Sequence, residues 1–217
     1  MNLQIEKIKP AIDKLHKKYG DKNYSILYGT GCVKNPKVMF LFMNPTARNL
    51  STHKNWRGLR ASWVGHKKMW SLFCAVGVFD KKLNDKVQSL KTNNWTPEFV
   101  EEIYQDLAKH GAYATGLGRC TQPDARALPD IIFRESRDVT LEEIRLVNPK
   151  IIISFGNQVT SNLLRQPIKV SECRRKRYDL MIGKKSYAVY PTFYPVGMGF
   201  RNIKKAIEDM RKIIRLK

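Results

Sequence analysis

The sequence predicts an α/β fold, a single-domain three-layer α/β/α sandwich around a central, mostly parallel four-stranded sheet. Two short runs, VMFLFM (38–43) and IIISF (151–155), are apolar without interruption, as strands buried on both faces must be. Segments with helical spacing of apolar residues alternate with these runs, the order that builds a parallel sheet covered by helices on both sides. No repeat or low-complexity tract divides the 217 residues. A chain of this length buries roughly 70% of its unfolded surface in one unit and needs no disulfide or metal to fold. One domain over 1–217 follows, with an N-terminal helix and connector (1–35) ahead of the core (36–217).

Residues 4–19 place Ile5, Ile8, Ile12 and Leu15 on one helical face, with Gly20 as the stop and Pro10 as a kink inside the pattern. A connector with Gly29, Gly31 and Pro36 leads into the strand 38–43, which stops at Asn44-Pro45. A polar loop of about twenty residues follows, a length that in compact domains usually serves function. The next helix covers 66–76, with Met69, Trp70, Phe73 and Cys74 at helical spacing. Thr96-Pro97 is a cap followed by proline at the first helical position, and Phe99, Val100, Ile103, Tyr104 and Leu107 form that helix's apolar face. A strand over 112–117 enters the loop GRCTQPDARALPD. Thr140 and Glu143 have capping-box spacing ahead of Ile144 and Val147, with Pro149 as the end. Gly156 closes the strand 151–155, and Val159, Leu163 and Leu164 mark another helix. Residues 176–191 read as a hairpin around Gly183. The last helix, 201–216, carries Ile203, Ala206, Ile207, Met210, Ile213 and Ile214 on one face with basic residues opposite.

Lys plus Arg number 40 against 19 Asp plus Glu, a formal charge of +21 that calls for a polyanionic partner. Nucleic acid fits better than lipid, because no apolar run approaches the roughly 18 residues of a membrane span and no amphipathic helix stands apart from the core pattern. The first twenty residues are charged throughout and lack an apolar stretch. A monomer in the cytoplasm, associated with the nucleoid, is expected. Cysteines at 32, 74, 120 and 173 form no CxxC or zinc spacing and read as reduced, mostly buried thiols, and histidines 16, 53, 66 and 110 are scattered. No metal and no cofactor are expected.

In parallel sheets ligands bind at the carboxyl ends of the strands, here the loops opening at Asn44, Gly116, Phe155 and Tyr194. None of these carries a GxGxxG, Walker or GxSxG signature, which argues against dinucleotide, triphosphate and serine-hydrolase chemistry. They carry Asn44-Pro45, then Trp56, Arg57, Arg60 and Trp63, then Arg119 and Arg126, then Tyr194 through Arg201. Amide, aromatic and guanidinium groups on one rim suit base stacking and phosphate contact. Trp56 and Trp63 fit equally well as loop anchors packed on the core.

The order of these segments resembles the uracil-DNA glycosylase superfamily from about residue 36 to 214. VMFLFMNPTARN looks like its first motif, a buried strand followed by a polar catalytic residue and proline. SWVGHKKMWSLF (62–73) is similar to its aromatic-x-Gly stretch, which would make Trp63 the residue stacking on a flipped base. ATGLGRCTQPDARALPD and LEEIRLVNPKIIISFGNQVTSNLL resemble the strand, Pro-Arg loop, helix and Gly turn of the thermostable iron–sulfur branch. TFYPVGMGFRN (192–202) looks like the terminal loop, normally His-Pro-Ser followed by a wedge and Arg. The chain departs from the pattern at Gly116, where that family carries a base-reading Asn, at Tyr194 in place of His, and at Val196 in place of Ser. Only Cys120 matches one of the four cluster cysteines, so an iron–sulfur cluster is not expected.

The resemblance implies a DNA glycosylase that flips uracil, or another deaminated or mismatched base, and hydrolyses its N-glycosidic bond. Asn44 would hold the attacking water, since an amide does not titrate, and Tyr194 would donate to the departing base. Met43, Pro45, Trp63 and Gly116 would line the base pocket, with Gly116 leaving room for hypoxanthine or xanthine. Arg57, Arg60, Arg119, Arg126, Arg201 and Asn202 would contact DNA, with Met198 and Phe200 as the wedge. Read without the resemblance, Asn44 is equally a turn residue before proline, Tyr194 a core aromatic, Arg201 a solvated residue at a helix start, and Gly197–Phe200 a packed turn. A non-catalytic binder of damaged or single-stranded DNA with the same fold is the alternative function, and an enzyme acting on a small nucleotide is disfavoured by the missing phosphate loops.

Overall fold

Five consecutive apolar side chains cannot alternate between core and water, and both five-residue runs are buried along their whole length. In the computed structural model, which describes residues 6–47, 67–91, 94–125, 127–195 and 197–215, these are β2 (Val38–Phe42) and β4 (Ile151–Phe155). They pair in parallel at the centre of the sheet. β3 (Ala112–Gly116) lies parallel on the other side of β2, and β6 (Lys185–Thr192) parallel on the other side of β4. β1 (Thr30–Gly31) and β5 (Tyr178–Ile182) close the edges in antiparallel pairing, giving the order β1-β3-β2-β4-β6-β5. The sheet thus has six strands rather than four. Its parallel centre is the expected set. The first arm of the hairpin turning at Gly183 (φ +60°) supplies one added edge, and a two-residue strand too short to leave a periodic trace supplies the other.

Seven α-helices among the described residues pack on the two faces. They are α1 (Lys9–Tyr19), α2 (Lys67–Ala75), α3 (Lys81–Ser89), α4 (Pro97–Lys109), α5 (Asp130–Val147), α6 (Asn157–Leu164) and α7 (Ile203–Arg215). Phe40, Phe42, Ile153 and Phe155 face a core built with Trp70, Phe73, Val87, Ile103 and Met210 of α2, α3, α4 and α7. Met39, Leu41, Ile152 and Val189 face Ile12, Phe133, Ile144 and Leu163 of α1, α5 and α6. None of the described helices is long and apolar enough to cross a membrane.

Several elements differ from expectation for local reasons. α1 begins at Lys9, so Pro10 sits in the first turn, where its missing N–H costs nothing, and does not kink a helix interior. α3 was hidden in a polar stretch whose apolar residues are Leu83 and Val87, and Asp80 caps it by accepting from Leu83 N at 2.9 Å. The largest difference is α5, an 18-residue helix that starts at Asp130. Thr140 and Glu143 lie inside it, fully buried, and are not a capping box.

Those two residues belong to a buried polar network. Arg119, 2% exposed at its side chain, pairs through Nη2 with Oε2 of the fully buried Glu143. The guanidinium also donates to Thr115 Oγ1 (2.9 Å) and Thr140 Oγ1 (3.0 Å), while Tyr113 Oη donates to Glu143 Oε1 (2.9 Å). Burial, with the Glu143 carboxylate beside it, holds the Tyr113 phenol well above its usual range. Arg119, expected to contact DNA, therefore points into the protein and joins β3, the loop after it, and α5. Removing one partner of such a pair strands a buried charge. Glu143→Ala should cost about 3–5 kcal/mol of unfolding free energy in a denaturant titration. Arg119→Met combined with Glu143→Leu should recover part of that loss, and a single-variant cost below about 1 kcal/mol would contradict this role.

Candidate functional site

The four parallel strands end at Phe42, Gly116, Phe155 and Thr192, on one edge of the sheet. Backbone pairing continues past the first two. Leu117 N donates to Phe42 O (2.8 Å), Gly118 N to Met43 O (2.7 Å), Gln122 N to Pro45 O (3.0 Å) and Ala47 N to Gln122 O (2.8 Å). The two loops are therefore zipped together, with Asn44 between them. Gly118 permits this approach, since a Cβ there would lie 3.0 Å from both Asn44 Cβ and Phe133 Cε1. The β3 loop is tied in turn to the N-terminal segment: Gln122 Nε2 donates to Tyr19 O (2.7 Å), and Thr121 Oγ1 to Ser25 O (2.8 Å).

Asn44 is 6% exposed. Its Nδ2 donates to Pro45 O (2.9 Å) and to Cys120 O (3.4 Å) across the loop pair. An amide donates through Nδ2 and accepts through Oδ1. With the donor end spent on carbonyls, a water held by this side chain is held through Oδ1. Met43 and Pro45 on either side are half-buried.

Tyr194 approaches the same place from β6. Phe42 and Phe155 stack at 4.4 Å, and the Tyr194 ring stands edge-on to both at 6.4 Å. Desolvation pushes the Tyr194 pKa up to about 12, against a smaller opposing influence of the Met43 backbone. The hydroxyl is thus a neutral donor throughout the physiological range. Beyond Tyr194 the chain folds into a 3₁₀ turn (Gly197–Asn202) that leads into α7. Gly199 presses on Tyr194 so closely that a Cβ would fall 2.0 Å from its carbonyl oxygen. Phe200 is 45% exposed with Lys68 Nζ 4.5 Å from its ring centre, Arg201 is exposed, and Asn202 is half-buried.

The structure brings Met43, Asn44, Pro45, Gly116 and Tyr194 to one patch, with Phe200, Arg201 and Asn202 on the turn beside it. Met198 lies on that turn, of which only its backbone is described. Trp56, Arg57, Arg60, Trp63 and Arg126 lie outside the described residues. Arg119 does not belong to the patch. Gly116 does, but not as expected: a Cβ there would meet Met43 O at 3.3 Å, Gly118 O at 3.5 Å and Asn44 Cα at 3.6 Å. The direction a side chain would take is filled by backbone, so glycine here serves the zipped loops rather than opening space beside a base.

Sequence reasoning passed over Thr192. It sits at the end of β6 opposite Phe155, is fully buried, and its Oγ1 has no hydrogen-bond partner among the described residues. A threonine in a strand carries no signal that separates it from a packing residue. Unpartnered buried hydroxyls are uncommon, and they collect where a ligand or water is to be met.

Two measurements follow. Thr192→Val keeps the shape and removes an unsatisfied group, so the thermal midpoint should hold or rise; a loss above about 1 kcal/mol would mean the hydroxyl is bonded in the folded protein. For Tyr194, the folded state holds its proton up to about pH 12 whereas an unfolded tyrosine releases it near 10. Bound protons then favour the folded state in that window, and stability falls as pH rises through it. The wild type should therefore lose stability between these two values that Tyr194→Phe retains, and parallel curves would contradict the assignment.

A scan against models of protein families gives no match to this chain, and a search of curated proteins gives none either.

Proposed function

We propose that the chain is a DNA glycosylase of the uracil-DNA glycosylase type, acting as a monomer in the cytoplasm on a deaminated or mismatched base. The observation that supports this reading is that Asn44 and Tyr194 both lie at the carboxyl end of β2: an amide whose donors are fixed, and a phenol whose ring stands edge-on to Phe42. Asn44 Oδ1 accepts a hydrogen from the attacking water and so fixes its position. This is an orienting effect, because an amide cannot take the proton; as the C1′–O bond forms and the C1′–N bond breaks, the water's proton passes to solvent and the base leaves as an anion. Tyr194 Oη and nearby backbone N–H groups donate to the negative charge that develops on the departing base. Phe200, at the exposed edge of the 3₁₀ turn, fills the gap in the stack, and Arg201 at the entry to α7 meets a phosphate. The chain's charge of +21 supports the polyanionic substrate.

The fixed Asn44 amide equally favours a second reading, in which the residue only braces two loops and the protein binds damaged or single-stranded DNA without cutting it. The two are separated by incubating labelled oligonucleotides that contain uracil, hypoxanthine or xanthine, followed by alkaline strand scission. The glycosylase reading requires base release by the wild type. Asn44→Ala should then slow it about 10²–10³-fold, by analogy with the loss of one preorganised hydrogen-bonding group, while DNA affinity stays within a few-fold. Binding without release would establish the second reading, and release by Asn44→Ala at the parental rate would remove Asn44 from the mechanism.

A further inference from the structure

On the opposite side of the molecule from α2, α3, α4 and α7, a groove of about 650 Å³ runs between α5 and α6. Arg134 and Arg137 line it from α5, and Arg165 from the end of α6. Arg134 and Arg165 are exposed and form no ion pair among the described residues. Arg137 is half-buried and is held by one edge, Nε donating to Leu163 O at 2.8 Å, which leaves its terminal nitrogens to the groove. Burial and the nearby Arg165 charge both push its guanidinium down from the usual value. Two like charges thus face one space.

One carboxylate shares the lining with these three guanidinium groups. It is Asp130, whose Oδ1 accepts from Gln158 Nε2 (2.8 Å) and Asn162 Nδ2 (3.0 Å) and whose charge is offset in part by Arg134. Asp138 opposes the shift of Arg137, more weakly than burial and Arg165 drive it. Arg165 also closes α6 at φ +54°, a left-handed conformation that glycine takes freely and arginine only at a cost. Three guanidinium groups against one carboxylate leave the lining with an excess of positive charge, which phosphate oxygens match in shape and charge.

α6 begins directly after β4, and α5 after the loop that leaves β3, so both helices start at the rim that carries Asn44. The lining runs from Asp130, at the start of α5, to Arg165, at the end of α6. We infer that the groove between α5 and α6 binds the phosphodiester backbone of a nucleic-acid strand that continues beyond the rim. The inference rests on the nucleic-acid reading of the rim and extends it to a second, remote contact that takes no part in base release.

The test is the salt dependence of affinity for a fluorescent oligonucleotide, measured by anisotropy on the full chain. Arg134→Ala with Arg165→Ala is compared with Lys81→Ala with Lys82→Ala, which removes the same charge from exposed positions on α3. Each phosphate contact contributes about 0.9 to the slope of log affinity against log salt on duplex DNA. The arginine pair should therefore flatten the slope by about 1 to 2 units, and the lysine pair should not. Equal slopes for the two variants, with tight wild-type binding, would overturn the groove and leave the rim reading intact. A wild type that binds no oligonucleotide would overturn both. In a second arm, inorganic phosphate is titrated into the wild type and the arginine variant. Saturation that the variant loses, together with unchanged strand affinity, would show a free-phosphate site and overturn the strand assignment.

Discussion

The ion pair between Arg119 and Glu143 decides where the loop after β3 can go. Arg119 lies three residues beyond the end of β3, Glu143 lies near the end of α5, and their side chains meet in the layer between sheet and helix. Two desolvated charges cost several kcal/mol each, and their attraction offsets this only when every remaining donor and acceptor is matched. Tyr113, Thr115 and Thr140 supply those matches, so the network fixes strand, loop and helix together. The next residue is Cys120, whose carbonyl accepts from Asn44. The position of the proposed water-holding amide is thus inherited from a buried pair on the other side of the loop.

Rigidity and charge are divided between different parts of the molecule. At the rim, backbone pairing beyond β2 and β3 leaves little freedom to Met43, Asn44 and Pro45, which suits a group that acts by orientation. The acids meanwhile are largely spent on internal work. Asp209 is fully buried and takes a two-pronged contact from Arg174 at 2.8 and 2.9 Å, holding α7 to the loop before β5. Glu135 pairs with Lys18, and Glu142 with Arg145. With carboxylates tied up in this way, the basic excess presents itself to solvent and to any polyanion nearby.

Much of the frame could be read from residues alone. VMFLF and IIISF announced buried strands because nothing polar interrupts them, Thr96-Pro97 announced α4 by its cap, and Gly183 announced a hairpin. What escaped was whatever depends on a partner distant in sequence. Arg119 in a polar loop reads as a residue awaiting phosphate, and only Glu143 turns it inward. Thr140 and Glu143 have the spacing of a capping box, yet they are interior residues of a helix that starts at Asp130. Gly116 reads as an opened pocket until the Met43 carbonyl is seen 3.3 Å from where its side chain would begin. Asn44 and Tyr194 are proposed from the strand-end rule and the resemblance, while Thr192 carries no local signal at all.

In the proposed function, nucleic acid is engaged at the carboxyl ends of the parallel strands. Backbone amide chemical-shift mapping of the isotopically labelled protein, titrated with a uracil-containing oligonucleotide, tests it most directly. The largest shifts are expected at Asn44, at Gly116 through Cys120, at Gly156, at Tyr194 and at Gly197 through Asn202. Shifts confined to α3, α4 and the β5 edge, with those residues unmoved, would contradict it.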